Sequence, residues 1–309
     1  MEKISVIIPL YNEAENIVEL YRRLKDVLQK DFSIFDYEII FIDDGSSDAA
    51  ADMLLDLHYR DTKVKVLQFS RNFGHHLAIT AGLDYTNGDY VVMMDGDLQD
   101  QPEEIKKLYH KLKEGYDVVY GERVHKKFSL MRRVLSECFN FLIRRFIEDP
   151  IVINSTIFRI MTKQVVENIR LLREHNRYIV GIIGWVGFKH VAEPVEHGKR
   201  YKGESKYNFS RQIDLALNAI FSFSNYPLKF ITRLGLFFVI ISFGLGGVII
   251  FKKLIYNTPI IGWSSLIVSV LVIGGLQITI LGVIGEYLGR NYMENKNRPL
   301  YIVRNYWHD

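Results

Sequence analysis

Tyr90-Val91-Val92-Met93-Met94-Asp95-Gly96-Asp97-Leu98-Gln99-Asp100 is an apolar run of strand length that breaks abruptly into an acidic segment. β-Branched and large apolar side chains favour a buried strand, and the glycine among carboxylates favours the turn that ends it. Four similar runs stand at residues 4–8, 37–42, 64–69 and 118–120, separated by segments of helix length. Strands that alternate with helices predict βαβ units on a mostly parallel sheet, an α/β fold. Asn12 is expected to cap the first helix, with Glu15 at the acidic position of a capping box.

In open sheets of this kind ligands lie outside the carboxyl ends of the strands. Here those ends are polar: Pro9-Leu10-Tyr11-Asn12-Glu13, Asp43-Asp44-Gly45-Ser46, Ser70-Arg71-Asn72-Phe73-Gly74, and the acidic segment that opens with Asp95. Four loops are expected to converge on one crevice. Asp95 and Asp97 supply hard oxygen donors that suit Mg²⁺ or Mn²⁺ shared with a substrate diphosphate; on spacing alone, an ordinary acidic turn is the alternative. Asp43 and Asp44 read either as a polar turn with Gly45 or, in a crevice that holds a nucleotide, with Asp43 accepting hydrogen bonds from base or ribose. Pro9, Tyr11 and Glu13 would then form the opposite wall. Neither G-x-G-x-x-G nor G-x-x-x-x-G-K-[ST] occurs, so a dinucleotide fold or a P-loop has no support. His75 and His76 are adjacent and cannot share a helix face, which favours roles at a helix terminus or substrate rim over a metal site.

The composition of the 309 residues changes near Phe230: residues 234–251 and 260–285 hold no charged side chain. Both stretches are expected to be transmembrane helices, joined by a tight hairpin loop at 252–259. Arg211, Lys229 and Arg233 precede them and Arg290, Lys296, Arg298 and Arg304 follow, against Lys252 and Lys253 in the loop. The positive-inside tendency puts both ends of the chain in the cytoplasm. Met1-Glu2-Lys3 leads straight into a strand, so no signal peptide is expected. The single cysteine, Cys138, excludes an intrachain disulfide and an all-cysteine metal site. A net charge of +3 without a dense basic run argues against a nucleic-acid partner and fits a basic side facing anionic lipid headgroups. Residues 128–147 and 209–223 interleave basic or polar residues with apolar ones, as an interfacial helix requires; a surface helix packed on the sheet is the alternative for either.

Six stretches, in order along the chain, carry a resemblance: Val6-Ile7-Ile8-Pro9-Leu10-Tyr11-Asn12-Glu13, Ile42-Asp43-Asp44-Gly45-Ser46, Arg71-Asn72-Phe73-Gly74, Asp95-Gly96-Asp97-Leu98-Gln99-Asp100, Gly203-Glu204-Ser205-Lys206-Tyr207 and Gly285-Glu286-Tyr287-Leu288-Gly289-Arg290. The chain resembles glycosyltransferase family 2 in its polyisoprenyl-phosphate branch, which includes dolichol-phosphate mannose synthases and bacterial undecaprenyl-phosphate sugar transferases. The resemblance implies a cytoplasmic GT-A type nucleotide-sugar-binding domain at 1–208 and an amphipathic interfacial helix at 209–230. A two-helix transmembrane hairpin follows at 231–286, with spans of about 231–251 and 260–285, and a cytoplasmic tail at 287–309. It implies that Pro9, Tyr11, Glu13, Asp43, Asp95 and Gly96 hold the nucleotide-sugar, and that Asp97 and Gln99 ligate Mg²⁺ or Mn²⁺. Arg123, Arg133 or its neighbour Arg132, Arg200 and Lys206 would bind the lipid phosphate; Asp95, Asp97, Arg123 and Arg200 would be catalytic. Where some relatives carry an acid before a Phe-Arg pair, this chain has Ile157 before Phe158 and Arg159, which puts an acid role there in doubt.

The implied activity is transfer of a sugar, with inversion, from a nucleotide-sugar to a polyprenyl phosphate, undecaprenyl phosphate being expected, at the cytoplasmic face of the cell membrane. A phosphate acceptor with a second pKa of about 6 is already largely dianionic at neutral pH and needs no base to deprotonate it. A processive polysaccharide synthase would call for Gln-x-x-Arg-Trp and a longer membrane channel, and the chain has neither. A degenerate transferase serving as a membrane subunit is opposed by the intact Asp95, Asp97, Gln99 and Arg123. Gly244, Gly246 and Gly247 would allow close packing of membrane helices, including between subunits of a homo-oligomer.

Overall fold

A computed structural model describes residues 1–123, 156–175, 177–198, 226–256 and 262–308. The chain divides into two compact units, Met1–Ala216 with Arg298–Asp309, and Leu217–Asn297. In the first, β1 (Lys3–Leu10), α1 (Ala14–Asp31), β2 (Asp36–Asp43), α2 (Ala50–Arg60), β3 (Val64–Phe69), α3 (His75–Tyr85) and β4 (Tyr90–Met93) follow the expected alternation. A short turn of helix then leads into α4 (Ile105–Leu112), and β5 (Val118–Arg123), β6 (Arg159–Thr162), α5 (Lys163–Leu171), α6 (Ile179–Trp185) and β7 (His190–Val195) complete the body.

The eight strands lie in the order β7-β5-β6-β4-β1-β2-β3-β8, where β8 is Val303–Trp307. The sheet is mostly parallel, as the apolar runs predict. Its two exceptions were not legible: β6 runs antiparallel between β4 and β5, and β8 runs antiparallel along β3. Alternate residues of β1 serve opposite faces. Ile4, Val6, Ile8 and Leu10 join one apolar core with Ile17, Leu20 and Leu24 of α1, Leu54 of α2 and Leu108 of α4. Each such fully buried aliphatic side chain contributes roughly 1.5–3 kcal/mol. On the other face α3 approaches so closely that a Cβ at Gly82 would stand 2.9 Å from Ile42 Cδ1 and 3.0 Å from Ile7 Cβ.

Asn12 does not cap α1. Its backbone has φ 54°, its amide donates to Ser46 Oγ at 2.9 Å, and its side-chain oxygen accepts the Ser47 amide at 2.8 Å. The Ala14 amide at the start of α1 donates instead to Asp48 Oδ2 at 3.1 Å. The helix start is thus satisfied by the loop after β2.

The segment 287–309, expected as one tail, is divided. Its first residues continue a helix, and β8 returns to the edge of the sheet, where the Ser70 amide donates to the Ile302 carbonyl at 3.0 Å. Tyr301 stacks on Phe69 with ring centroids 5.1 Å apart and donates its hydroxyl to Asp84 at 2.7 Å.

The second unit holds α7 (Tyr226–Tyr256) and α8 (Trp263–Asn295). Residues 226–230, expected in an interfacial helix, are the first turns of α7; the rest of that stretch, and the one at 128–147, lie outside the described residues. Among the described residues one span, Val272–Asn295, is long and apolar enough to cross a membrane, with mean hydropathy 1.5. The apolar stretch of α7, Ile231–Leu245, is shorter, so the expected pair of equivalent spans is supported for one member. Phe237, Phe243, Ile278 and Leu281 are exposed, which suits helices solvated by lipid.

At the amino ends of the strands Glu38, 1% exposed, accepts hydrogen bonds from Ser5 Oγ at 2.6 Å, Lys3 Nζ at 2.8 Å and the Asn87 amide at 2.9 Å, and Lys65 Nζ lies 2.9 Å away. Burial alone would raise its pKa. The donors from Lys3, Ser5, Asn87 and Lys65 outweigh it and hold the carboxyl down to about 2 from the usual 4.5. A depressed carboxyl stabilises the fold above its unfolded pKa and loses that contribution as pH falls through the folded one. At about 1.4 kcal/mol per pH unit it contributes roughly 3 kcal/mol at neutral pH. Glu38→Gln is therefore expected to lower unfolding stability by that order at pH 7 and to erase the part of the acid destabilisation between pH 4.5 and 2 that wild type shows, measured by denaturant unfolding across pH.

Candidate active site

The carboxyl ends of β1, β2, β3 and β4 bring the four polar loops together, as their sequence positions predict. β1 stands between β2 and β4, so Pro9 lies beside Ile42 and Leu10 beside Asp43, while the Met94 amide donates to the Ile7 carbonyl. Pro9 is buried, Tyr11 is 39% exposed at the rim, and Glu13 Oε2 accepts Asn16 Nδ2 at 2.6 Å, which fixes its carboxylate at the start of α1.

Asp43 and Asp44 have different tasks. Asp43 is fully buried; its Oδ1 accepts the Ser46 amide at 2.9 Å, while its Oδ2 is buried with no hydrogen-bond partner among the described residues. A buried carboxylate oxygen in that state costs stability unless a ligand donor meets it. Asp44, 3% exposed, is spent on the protein. Its Oδ1 accepts the Phe73 amide at 2.7 Å, and its Oδ2 accepts the Gly74 amide at 2.9 Å and Asn72 Nδ2 at 3.0 Å. Burial pushes the Asp44 carboxyl up to about 6, the Phe73 and Gly74 amides pull it back, and the neighbouring Asp43 charge adds to the rise. Gly45 is required by this close approach: at φ 69°, a Cβ there would lie 2.5 Å from the Arg71 carbonyl carbon.

The acidic loop is held just as tightly. A Cβ on Gly96 would stand 2.1 Å from Leu10 Cδ2, so the loop lies directly against the end of β1. Leu98, with φ 62°, is 3% exposed and joins the core, anchoring the turn from below in a conformation that costs a branched side chain of order 1 kcal/mol or more. Asp97 Oδ1 accepts the Gln99 amide at 3.1 Å. Gln99, expected in a metal shell, has its Oε1 3.0 Å from His197 Nε2, and the Gly198 amide donates to the Gln99 carbonyl at 2.9 Å. Segment 196–198 is thereby tied to the acidic loop just before Arg200.

Arg123 ends β5 opposite Val195, and its guanidinium is not among the described side chains. Arg132, Arg133, Arg200 and Lys206 lie outside the described residues. Arg159 is a buried brace: 1% exposed, it donates to the Thr156 and Ile157 carbonyls, and burial lowers its pKa to about 10 against the opposing influence of Tyr178 and Tyr120.

His75 and His76 open α3 and turn to different surroundings. His75 Nε2 lies 3.4 Å from Asp95 Oδ1, with 42% of the histidine side chain still open to solvent. His76 packs edge-on against Tyr178 at 5.4 Å, and burial, then His75 and Arg159, lower its pKa to about 3. Asp44, Asp48 and Leu98 were not assigned site-building roles from sequence, whereas His75 was expected at a helix terminus or substrate rim and does open α3. Of the three, only Asp44 carried a signal, the doubled acid after β2.

Asp43, Asp95 and Asp97 together make a crevice that would repel a diphosphate unless positive charge accompanies it. Among the described residues no three His, Cys, Asp or Glu side chains gather as a closed metal cage. Two carboxylates on a fixed turn fit a hard divalent cation that completes its shell with substrate phosphate and water.

Comparison with known proteins gives the family. Residues 5–170 match the profile described as glycosyl transferase family 2. The chain is 40% identical over 304 residues to the bactoprenol glucosyl transferase of Shigella phage SfV, covering 98% of each chain. The chain belongs to glycosyltransferase family 2. It is also 37% identical over 303 residues to the prophage bactoprenol glucosyl transferase homolog of Escherichia coli (strain K12), again covering 98% of each. Among solved structures it is similar to glucosyl-3-phosphoglycerate synthase from Mycobacterium tuberculosis in complex with Mn²⁺, UDP and glucosyl-3-phosphoglycerate. That likeness has a TM-score of 0.52 at 17% identity, covers 71% of this chain and 78% of that one, and shows a shared GT-A fold. The matched region runs from β1 through α5 and contains every loop of the crevice.

Asp44→Asn would turn one acceptor oxygen into an amide that faces other donors. In this family 2 glycosyltransferase it is expected to lower unfolding stability by roughly 2–3 kcal/mol and to weaken nucleotide-sugar binding, measured by thermal unfolding and calorimetric titration.

Proposed function

We propose that this family 2 glycosyltransferase moves a single sugar from a nucleotide-sugar to bactoprenol phosphate, with inversion at the anomeric carbon. The observation that carries the reading is the buried Asp43 Oδ2, without a hydrogen-bond partner among the described residues, beside the loop of Asp95 and Asp97. Asp43 would accept a hydrogen bond from base or ribose, with Pro9, Tyr11 and Glu13 forming the facing wall. Asp95 and Asp97 would hold Mg²⁺ or Mn²⁺, and Gln99 Oε1, which keeps a second lone pair beside its contact with His197, would join that shell. The cation, when bound, supplies positive charge that stabilises the departing nucleoside diphosphate.

The names of the relatives support the lipid acceptor and make a glucosyl donor the first to test. An acceptor phosphate oxygen attacks the anomeric carbon as the bond from that carbon to the diphosphate oxygen breaks, its electron pair leaving on the diphosphate. No general base is required, because the acceptor is already ionised. This removes the need for a carboxylate at Ile157. Arg123, Arg133, Arg200 and Lys206 are proposed to meet the lipid phosphate as guanidinium forks or point charges.

The span Val272–Asn295 supports membrane attachment. The finer reading, that α7 also crosses and that both termini and the catalytic unit are cytoplasmic, rests on the basic residues flanking the pair. In intact cells, a cysteine introduced at residue 258 of a Cys138→Ser background is expected to react with a membrane-impermeant maleimide applied outside. One introduced at 309 should react only after permeabilisation; the reverse pattern would contradict the orientation.

The activity is tested with purified protein, undecaprenyl phosphate, Mn²⁺ and radiolabelled UDP-glucose, followed by a panel of other nucleotide-sugars, scoring label that enters organic solvent. Label is expected to depend on the cation and to fall at least about a hundredfold in Asp97→Ala. Unchanged transfer in Asp97→Ala would overturn the proposed role of the acidic loop.

A further inference from the structure

The loop after β3, Ser70 to Gly74, is held at both ends. At its far end the Phe73 and Gly74 amides donate to Asp44 at 2.7 and 2.9 Å. At its near end the Ser70 amide donates to the Ile302 carbonyl at 3.0 Å, where the pairing of β3 with β8 shifts register between Gln68 and Phe69. A column of rings joins the two ends. Tyr301 stacks on the buried Phe69 with centroids 5.1 Å apart and planes 14° apart, Phe69 meets Phe73 edge-on at 5.6 Å, and the Arg71 guanidinium lies 4.0 Å over the Phe73 ring. Tyr301 is itself fixed from behind: its hydroxyl donates to Asp84 Oδ2 at 2.7 Å, and Arg173 Nη1 donates to both oxygens of that carboxylate at 2.8 Å. Burial, then the Asp84 carboxylate, raise the pKa of the hydroxyl, so it stays a donor. The Arg298 carbonyl lies 2.9 Å from His175 Nε2 and Leu300 is buried, so the segment before β8 is seated on the catalytic unit as well.

We propose that Tyr301 is a positioning residue for the donor site, its ring setting the loop after β3 against the end of β2 where Asp43 stands. The proposal rests on the reading of Asp43 as a contact for the nucleotide-sugar. Stacked and edge-on ring pairs have preferred geometries, so Tyr301 on one side and Phe73 on the other fix the plane of Phe69. Without Tyr301, Phe69 is packed on one side less and is free to turn, and Phe73 loses the ring it abuts. The Phe73 and Gly74 amides are then drawn away from Asp44. A carboxylate buried to that degree does not stay in place short of its donors, and the residue before it in the strand end is Asp43. The consequence is that the donor site is completed by chain that follows both apolar helices, 131 residues beyond the end of the matched family region at 170.

The test uses the full chain in detergent, well below its unfolding temperature, with two readouts. One is amide hydrogen exchange of peptides covering residues 70–74; the other is calorimetric titration with UDP-glucose, or with whichever nucleotide-sugar of the panel wild type turns over. Tyr301→Ala is expected to speed exchange of the Phe73 and Gly74 amides and to weaken donor binding, each by about tenfold. Tyr301→Phe keeps the ring and loses only the bond to Asp84, so it is expected to stay within about threefold of wild type in both, even where its unfolding temperature falls. Should the alanine variant fail to fold, Tyr301→Leu, which keeps apolar bulk without a ring, takes its place with the same expectation. Wild-type donor affinity in the ringless variant, alongside a large loss in Asp43→Ala, would overturn the positioning role and leave the donor site standing. Weakened binding without faster exchange at 70–74, or a phenylalanine variant as weak as alanine, would also overturn it. Undiminished donor binding in Asp43→Ala, or a wild type that binds no donor of the panel, would remove the reading of the crevice itself, and the proposal with it.

Discussion

The carboxylate of Asp44 is the constraint on which the candidate site depends. Three donors from the loop after β3 converge on it, and Gly45 leaves room for that loop to lie against the β2 end. A carboxylate 97% removed from solvent is costly in isolation, and here the cost is reduced in part by amides that would otherwise themselves be unsatisfied. The result is a rigid seam between two strand ends. Asp43 Oδ2 stays unmet among the described residues while its neighbour holds the loop after β3, and α3 begins at a defined point.

Much of this was legible in the sequence because the signals were local. An apolar run ending in a glycine-bearing acidic turn reads as a strand and its loop whatever its partners, so β1 to β5 and the converging loops could be placed. The failures are non-local. β6 is only Arg159–Thr162, and nothing in four residues announces insertion between β4 and β5. β8 comes after both apolar helices, and its pairing with β3 is set by contacts such as Tyr301 on Phe69 that no window of sequence contains. Asn12 has the residue type and position of a cap, but Ser46 and Ser47 engage it, and Asp48 in the loop after β2 accepts the Ala14 amide instead. Local propensity lost there to a tertiary hydrogen bond.

The same distinction divides the site residues. The acids at the strand ends were found by type and position, whereas the division of labour between Asp43 and Asp44 depends on which carboxylate turns inward. Gln99 is the instructive case: its position beside Asp97 is that of a ligand, yet its side-chain oxygen is engaged by His197. A role for Gln99 at a cation would use the second lone pair of that oxygen. The tie between the Gln99 carbonyl and Gly198 gives the acidic loop a second function, as the anchor of the chain that continues to Arg200.

A structure of the full chain with UDP and Mn²⁺ tests the central claim most directly, because that claim is the location of the nucleotide. The account predicts a uridine donor within about 3 Å of Asp43 Oδ2 and the cation between the diphosphate and the Asp95-Gly96-Asp97 turn. Uridine bound away from the ends of β1 and β2, with Asp43 Oδ2 still buried and unmet, would contradict it.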